Sequence, residues 1–182
     1  MKKLKKILIL SSLLIIAFSF VGCGKKKTAL TKDNINDYLK IKCSSSGEIE
    51  YVSDGKSMGQ YVGHYEGEIT KTFKFINQKN ISFEDVSINI ECKVSSLMHQ
   101  YDLKFKDGGT KGVYQGSTGE EFTEYTKLIT VTLPYDCSEI EKTVEIEVEN
   151  IEDIVSVTPG MSTALDHFDW EIVDVTGSVV EN

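Results

Sequence analysis

The chain reads as an all-β protein, an antiparallel β-sandwich with a short helix near its start. Three observations predict this. Apolar residues recur at every second position in one segment after another from Leu39 onward. Clusters of Gly, Asn, Asp and Ser, such as Asn77–Asn80 and Asp107-Gly108-Gly109, separate those segments as turns do. No stretch beyond residue 38 carries a helical period, and no repeat unit recurs that would suggest a propeller or solenoid.

The elements follow in order. Thr31 reads as a helix N-cap with Asp33 in the first turn, and Ile35, Tyr38 and Leu39 share a face, so a helix is predicted over 32–38. Leu39, Ile41 and Cys43 then alternate with lysines, and Ile49 and Tyr51 with glutamates. The stretch 53–67, with Gly55, Gly59, Gly63 and Gly67, reads as an exposed loop or an irregular edge hairpin. Ile69–Phe75 is the next strand, with its phenylalanines inward.

Val86, Ile88, Ile90, Cys92 and Val94 give the clearest alternation, that of a half-buried antiparallel strand, and place Cys92 in the core as a buried free thiol. Further strands are predicted at 101–105, 113–115, 125–133, 144–149 and 154–157. In the last segment Phe168, Trp170 and Ile172 lie on one parity and Val173, Val175, Gly177 and Val179 on the other, which predicts a bulge. Eight or so such strands make two facing sheets, immunoglobulin-like in general architecture.

Ahead of this domain lies a leader. Met1–Lys6 carries four lysines, and Ile7–Val21 is apolar but shorter than the roughly 20 residues a membrane-spanning helix needs. It ends in Phe20-Val21-Gly22-Cys23, followed by Gly24 and Lys25-Lys26-Lys27. These features divide the chain into a signal peptide over 1–22, a tether over 23–30 and a single domain over 31–182.

Phe20-Val21-Gly22-Cys23 resembles the bacterial lipobox, with Phe20 where leucine is usual. The resemblance implies that the Cys23 thiol receives a diacylglyceryl lipid, with acyl chains such as palmitate, and that the signal peptidase cuts before it. The protein is then expected at the cell membrane, facing outside, with Lys25, Lys26 and Lys27 contacting anionic head groups.

Three further segments resemble small Gram-positive surface lipoproteins of mostly unassigned function: Leu30–Leu39, Phe83–Ile88 and Ile172–Val179. That resemblance implies an extracytoplasmic β-sandwich and supplies no active-site residues.

Composition narrows the function. The formal charge is −8 with no arginine, and the acid surplus grows once Lys2, Lys3, Lys5 and Lys6 leave with the leader. An acidic body repels polyanions, so nucleic acid is not an expected partner. Cys43, Cys92 and Cys137 lack C-x-x-C spacing, and one disulfide with one free thiol is an option outside the cell.

His64, Glu66 and Glu68 alternate, so an extended backbone would aim them one way as a weak candidate for a divalent metal. Asp166, His167, Asp169 and Glu171 form a second polar cluster, without the spacing of a calcium loop. Gly116-Ser117-Thr118-Gly119 is not a nucleophile elbow, and the parity of His99 with Tyr101 favours a structural role. Trp170 alternates with Phe168 and Ile172 and reads as core rather than as a sugar platform.

No catalytic residues and no cofactor beyond the lipid emerge. The expected function is a non-enzymatic binding or interaction module at the bacterial envelope, with an unidentified envelope or host protein as partner. The alternative is a small extracellular hydrolase or a ligand- or metal-binding accessory protein.

Overall fold

The computed structural model describes residues 25–57, 60–96, 101–115, 119, 121–150 and 166–181. Cys23 and the leader, His99, the Gly116–Thr118 segment and the strand expected at 154–157 lie outside these residues. Among the described residues there are nine strands: β1 (Lys26–Ala29), β2 (Leu39–Ser57), β3 (Gln60–Asn77), β4 (Ser82–Ser96), β5 (Tyr101–Phe105), β6 (Thr110–Gln115), β7 (Glu121–Thr132), β8 (Glu139–Asn150) and β9 (Asp166–Glu181). They form a five-stranded sheet in the order β1-β9-β4-β7-β6 and a four-stranded sheet in the order β2-β3-β8-β5. Every neighbouring pair is antiparallel. The all-β sandwich expected from the sequence is the fold observed.

β4 lies at the centre of the larger sheet because its apolar residues line one face without a gap. Val86, Ile88, Ile90, Cys92 and Val94 are all fully buried. Each of the valines and isoleucines among them stabilises the fold by about 1.5–3 kcal/mol relative to exposure. Phe73 and Phe75 on β3 point inward as expected, and Phe73 meets Trp170 of the opposite sheet edge-on with ring centroids 5.3 Å apart. Trp170 therefore belongs to the packing between the sheets.

The parity switch in β9 is a bulge. Asn89 pairs with Asp174 and Ile90 with Ile172, which leaves Val173 as the extra residue. A second irregularity sets Asp85 and Val86 against Gly177 alone. Asp85 has φ 52 and Gly177 has φ 96, and a Cβ on Gly177 would come within 2.5 Å of the Asp85 carbonyl oxygen.

Two expectations near the start of the chain change. The helix predicted over 32–38 is a single 3-10 turn, Ile35–Asp37, with Asn34 rather than Thr31 at its N-cap position. Asn34 accepts the Thr31 N–H at 2.8 Å and donates to the Ala29 carbonyl at 3.0 Å, bonding the backbone around it in place of a helical cap. The tether expected over 23–30 is also shorter. Lys26–Ala29 pairs with Ser178–Glu181 as β1, and Leu30 is buried. The sandwich thus begins inside the segment read as linker.

Of the stretch 53–67, residues 53–57 and 60–67 form the distal half of a long hairpin at the edge of the smaller sheet, the second of the two readings offered above. Its register runs from Leu39↔Asn77 to Ser57↔Gln60 and slips only between Ser53 and Gly55.

Candidate functional site

Two places carry the residues singled out from the sequence. The first is the end of the sandwich where the chain enters. β1 is short and sits at the edge of the larger sheet, where lysines suit an exposed strand. Lys26 pairs with Glu181 at 3.6 Å, and Lys27 with Glu84, itself bonded by the Ser178 hydroxyl. The hydrogen bond and charge of Lys27 hold the Glu84 carboxyl below the usual range, and Glu84 in turn raises the Lys27 amine. Lys26 and Lys27 therefore have intramolecular acid partners that the sequence did not indicate, while Lys25, Lys26 and Lys27 all remain exposed. Exposed pairs of this kind contribute about 0–1 kcal/mol, so the ammonium groups can exchange them for other anions.

The second place is the outer face of the smaller sheet. Alternation sends Ile49, Tyr65, Ile69 and Ile146 inward and Glu48, Glu50, Glu66, Glu68 and Glu147 outward. Ladder pairing then sets like charges opposite one another: Glu50↔Glu66, Glu48↔Glu68 and Glu68↔Glu147. The glutamates and His64 line an open groove of ≈ 610 Å³.

His64 sits between two acids. Its Nδ1 lies 2.9 Å from Asp54 and its Nε2 3.7 Å from Glu66. The hydrogen bond to Asp54 raises the pKa of the imidazole, and the nearby charges of Asp54 and Glu66 add to it, which favours the imidazolium. Asp54 was missed in the sequence because it lies ten positions from His64. It is the residue skipped where the register slips between Ser53 and Gly55, and that bulge aims its carboxylate across the hairpin.

Glu68, the third member of the weak metal candidate, turns elsewhere, and its carboxylate accepts from Lys106 at 2.8 Å. Among the described residues, no group of three or more His, Cys, Asp or Glu side chains converges as metal ligands would. His64, Glu66 and Glu68 share a face, as their spacing implied, without sharing a point.

The cluster at 166–171 is likewise spread along a strand. His167, Asp169 and Glu171 are exposed, and Asp169 accepts the Trp170 backbone N–H at 2.8 Å. Cys43, Cys92 and Cys137 are all free thiols. Burial pushes the Cys92 thiol up to about 12, so it is protonated and inert at neutral pH. Cys43 and Cys137 are raised by burial as well.

No protein-family model, curated protein or solved structure matches the chain.

Proposed function

We propose that the protein is a lipid-anchored extracytoplasmic lipoprotein, attached through a diacylglyceryl thioether on Cys23. Its sandwich serves as a non-enzymatic interaction module held against the outer surface of a bacterial membrane. The observation that carries this reading is the absence of a long spacer between the lipobox-like Gly22-Cys23 and the first strand. β1 begins at Lys26, and three residues of fully extended chain reach only about 10 Å. Lys25 is exposed beside that point, and Lys26 and Lys27 hold exchangeable surface pairs, so anionic head groups within a Debye length can compete for them. The acidic outer sheet then faces other molecules, and recognition of a protein partner at the envelope needs only such a rigid, charged surface.

Mass spectrometry of the chain extracted from bacterial membranes tests the anchor. The expected product begins at Cys23 with two or three acyl chains, and Cys23→Ala leaves the leader uncleaved. A product that begins at Met1, or a Cys23 without lipid, overturns the proposal.

A further inference from the structure

We propose that the flank of β9 from His167 to Ile172 takes up an extended strand of a protein partner, antiparallel, in which apolar residues alternate with lysine or arginine. The inference rests on the reading of the sandwich as an interaction module and names its partner's chemistry. β1 bonds β9 only along Ser178–Glu181. The Leu30 N–H then bonds the Gly177 carbonyl, and the chain turns off through the Asn34 bonds to Thr31 and Ala29. Beyond that point β9 has β4 on one side and, among the described residues, no strand on the other. Such an edge is a template for an added strand.

The backbone of this flank is aimed outward. The Trp170 N–H bonds the Asp169 carboxylate at 2.8 Å and so points away from β4. Antiparallel alternation turns the N–H and C=O groups of Phe168 and Ile172 the same way. Asp169 is exposed, and its bond is one that an incoming carbonyl replaces.

The opposite sheet provides cover. Phe73 of β3 packs against both Phe168 and Trp170, so β2, the next strand outward, overhangs the flank. Register puts Cys43, Ser45 and Gly47 of β2 on the inward side, beside Phe73, Lys71 and Ile69. Yet Ser45 and Gly47 are exposed and Cys43 is only half-buried, as are Phe168, Trp170 and Ile172 below. A strand in this slot bonds those three residues and packs its own apolar side chains beneath β2. The Lys71 ammonium, 4.9 Å from the centroid of the Phe168 ring, repels a cation on this inward face.

The outward face sets the partner's charge. Asp169 and Glu171 are exposed and make no ion pair among the described residues. Lys93, opposite Asp169 on β4, pairs with Glu91 at 3.2 Å instead, and Glu171 faces Glu91. Cations at alternate positions of the added strand meet both acids, whereas a second copy of β9 would set acid against acid. The bulge at Val173 ends the regular flank and so limits the paired segment.

Titration of the full chain in nonionic detergent with a capped peptide of alternating valine and lysine tests the inference. Two signals report from the site: the emission of Trp170, the single tryptophan, and slowed hydrogen exchange at the Phe168, Trp170 and Ile172 amides. Saturable binding that weakens as salt is raised is expected. A valine–glutamate peptide, and a peptide with the same valines and lysines in two blocks, bind at least about tenfold more weakly. Methylation of the valine amide nitrogens, which face β9, abolishes binding, and methylation of the lysine amide nitrogens leaves it in place. Asp169→Lys with Glu171→Lys exchanges the preference, and capture of the valine–glutamate peptide also shows that this variant is folded. The proposal is overturned by a wild type that binds nothing at about 1 mM alternating peptide. It is equally overturned by equal binding of the block or valine-methylated peptides, or by an unchanged preference in the double variant. Failure of the mass measurement on Cys23 leaves these titrations in force, and failure of the titrations leaves an anchored module that binds through another surface.

Discussion

β4 and β2 are both long strands, yet they hold their places by opposite means. β4 has a neighbour on each side and the opposite sheet beneath it, and its five alternating apolar residues from Val86 to Val94 are fully buried. β2 has one neighbouring strand among the described residues, carries Gly47 at φ 85, and keeps exposed serines at its centre. The first strand is fixed along its length by what it buries, whereas the second buries Leu39 and Ile49 and holds the serines between them through pairing with β3. The contrast teaches that regular pairing runs on through a gap in the hydrophobic pattern when a long hairpin supplies the register.

The largest expected effect lies between the sheets. Phe73→Ala removes the ring that meets Trp170 and costs about 3–5 kcal/mol in denaturant unfolding, whereas Ser44→Ala on the β2 edge stays within about 0.5 kcal/mol. Equal losses at the two sites would erase the distinction drawn above.

A smaller effect separates two glycines with positive φ. Gly55, φ 123, faces open space, while Gly177 has the backbone of Asp85 and Val86 against it. Alanine strains the backbone at both, and the contact adds about 1–3 kcal/mol at Gly177 alone. Thermal melts of the two single variants give that difference directly, and a Gly55 variant as unstable as Gly177→Ala would show that the bulge needs no clearance.

The subtlest expectation concerns His64. Its folded pKa is raised above the ordinary 6.5, so its stabilising contribution is complete below 6.5 and disappears as pH rises through the folded value. Imidazole resonances followed by NMR should titrate late in the wild type and shift back toward 6.5 in Asp54→Asn. An unchanged midpoint in that variant would remove Asp54 as the cause.

Much of the fold was legible because burial writes a period into sequence. The alternation of β4 and the parity switch of β9 each state a physical fact, an inward face and an inserted residue. The hairpin over 53–67 was harder, since glycines permit either a loop or an irregular strand and only pairing decides between them. β1 was hidden because four residues, Lys-Lys-Thr-Ala, carry no apolar pattern, and Glu181 and Val180, their partners, come from the far end of the chain. The candidate site was legible in its direction but not in its contacts. Alternation placed His64, Glu66 and Glu68 on one face, whereas the bond to Asp54 and the diversion of Glu68 to Lys106 depend on a bulge and on a strand distant in sequence.

The entry of the chain through β1 has a mechanical consequence. Were lipid attached at Cys23, a pull between membrane and domain would reach the described fold at the start of β1, and its component along the strand would meet Lys26 end-on. The antiparallel bonds from β1 to β9 run across that axis, so they share the load in shear rather than opening one after another. The Leu30 N–H adds a bond to the Gly177 carbonyl, and the buried Leu30 side chain holds the same point. Four residues that resemble a linker would thus act as a clamp, and tension from a lipid at Cys23 would be carried into β9 and on to β4 at the centre of the sheet.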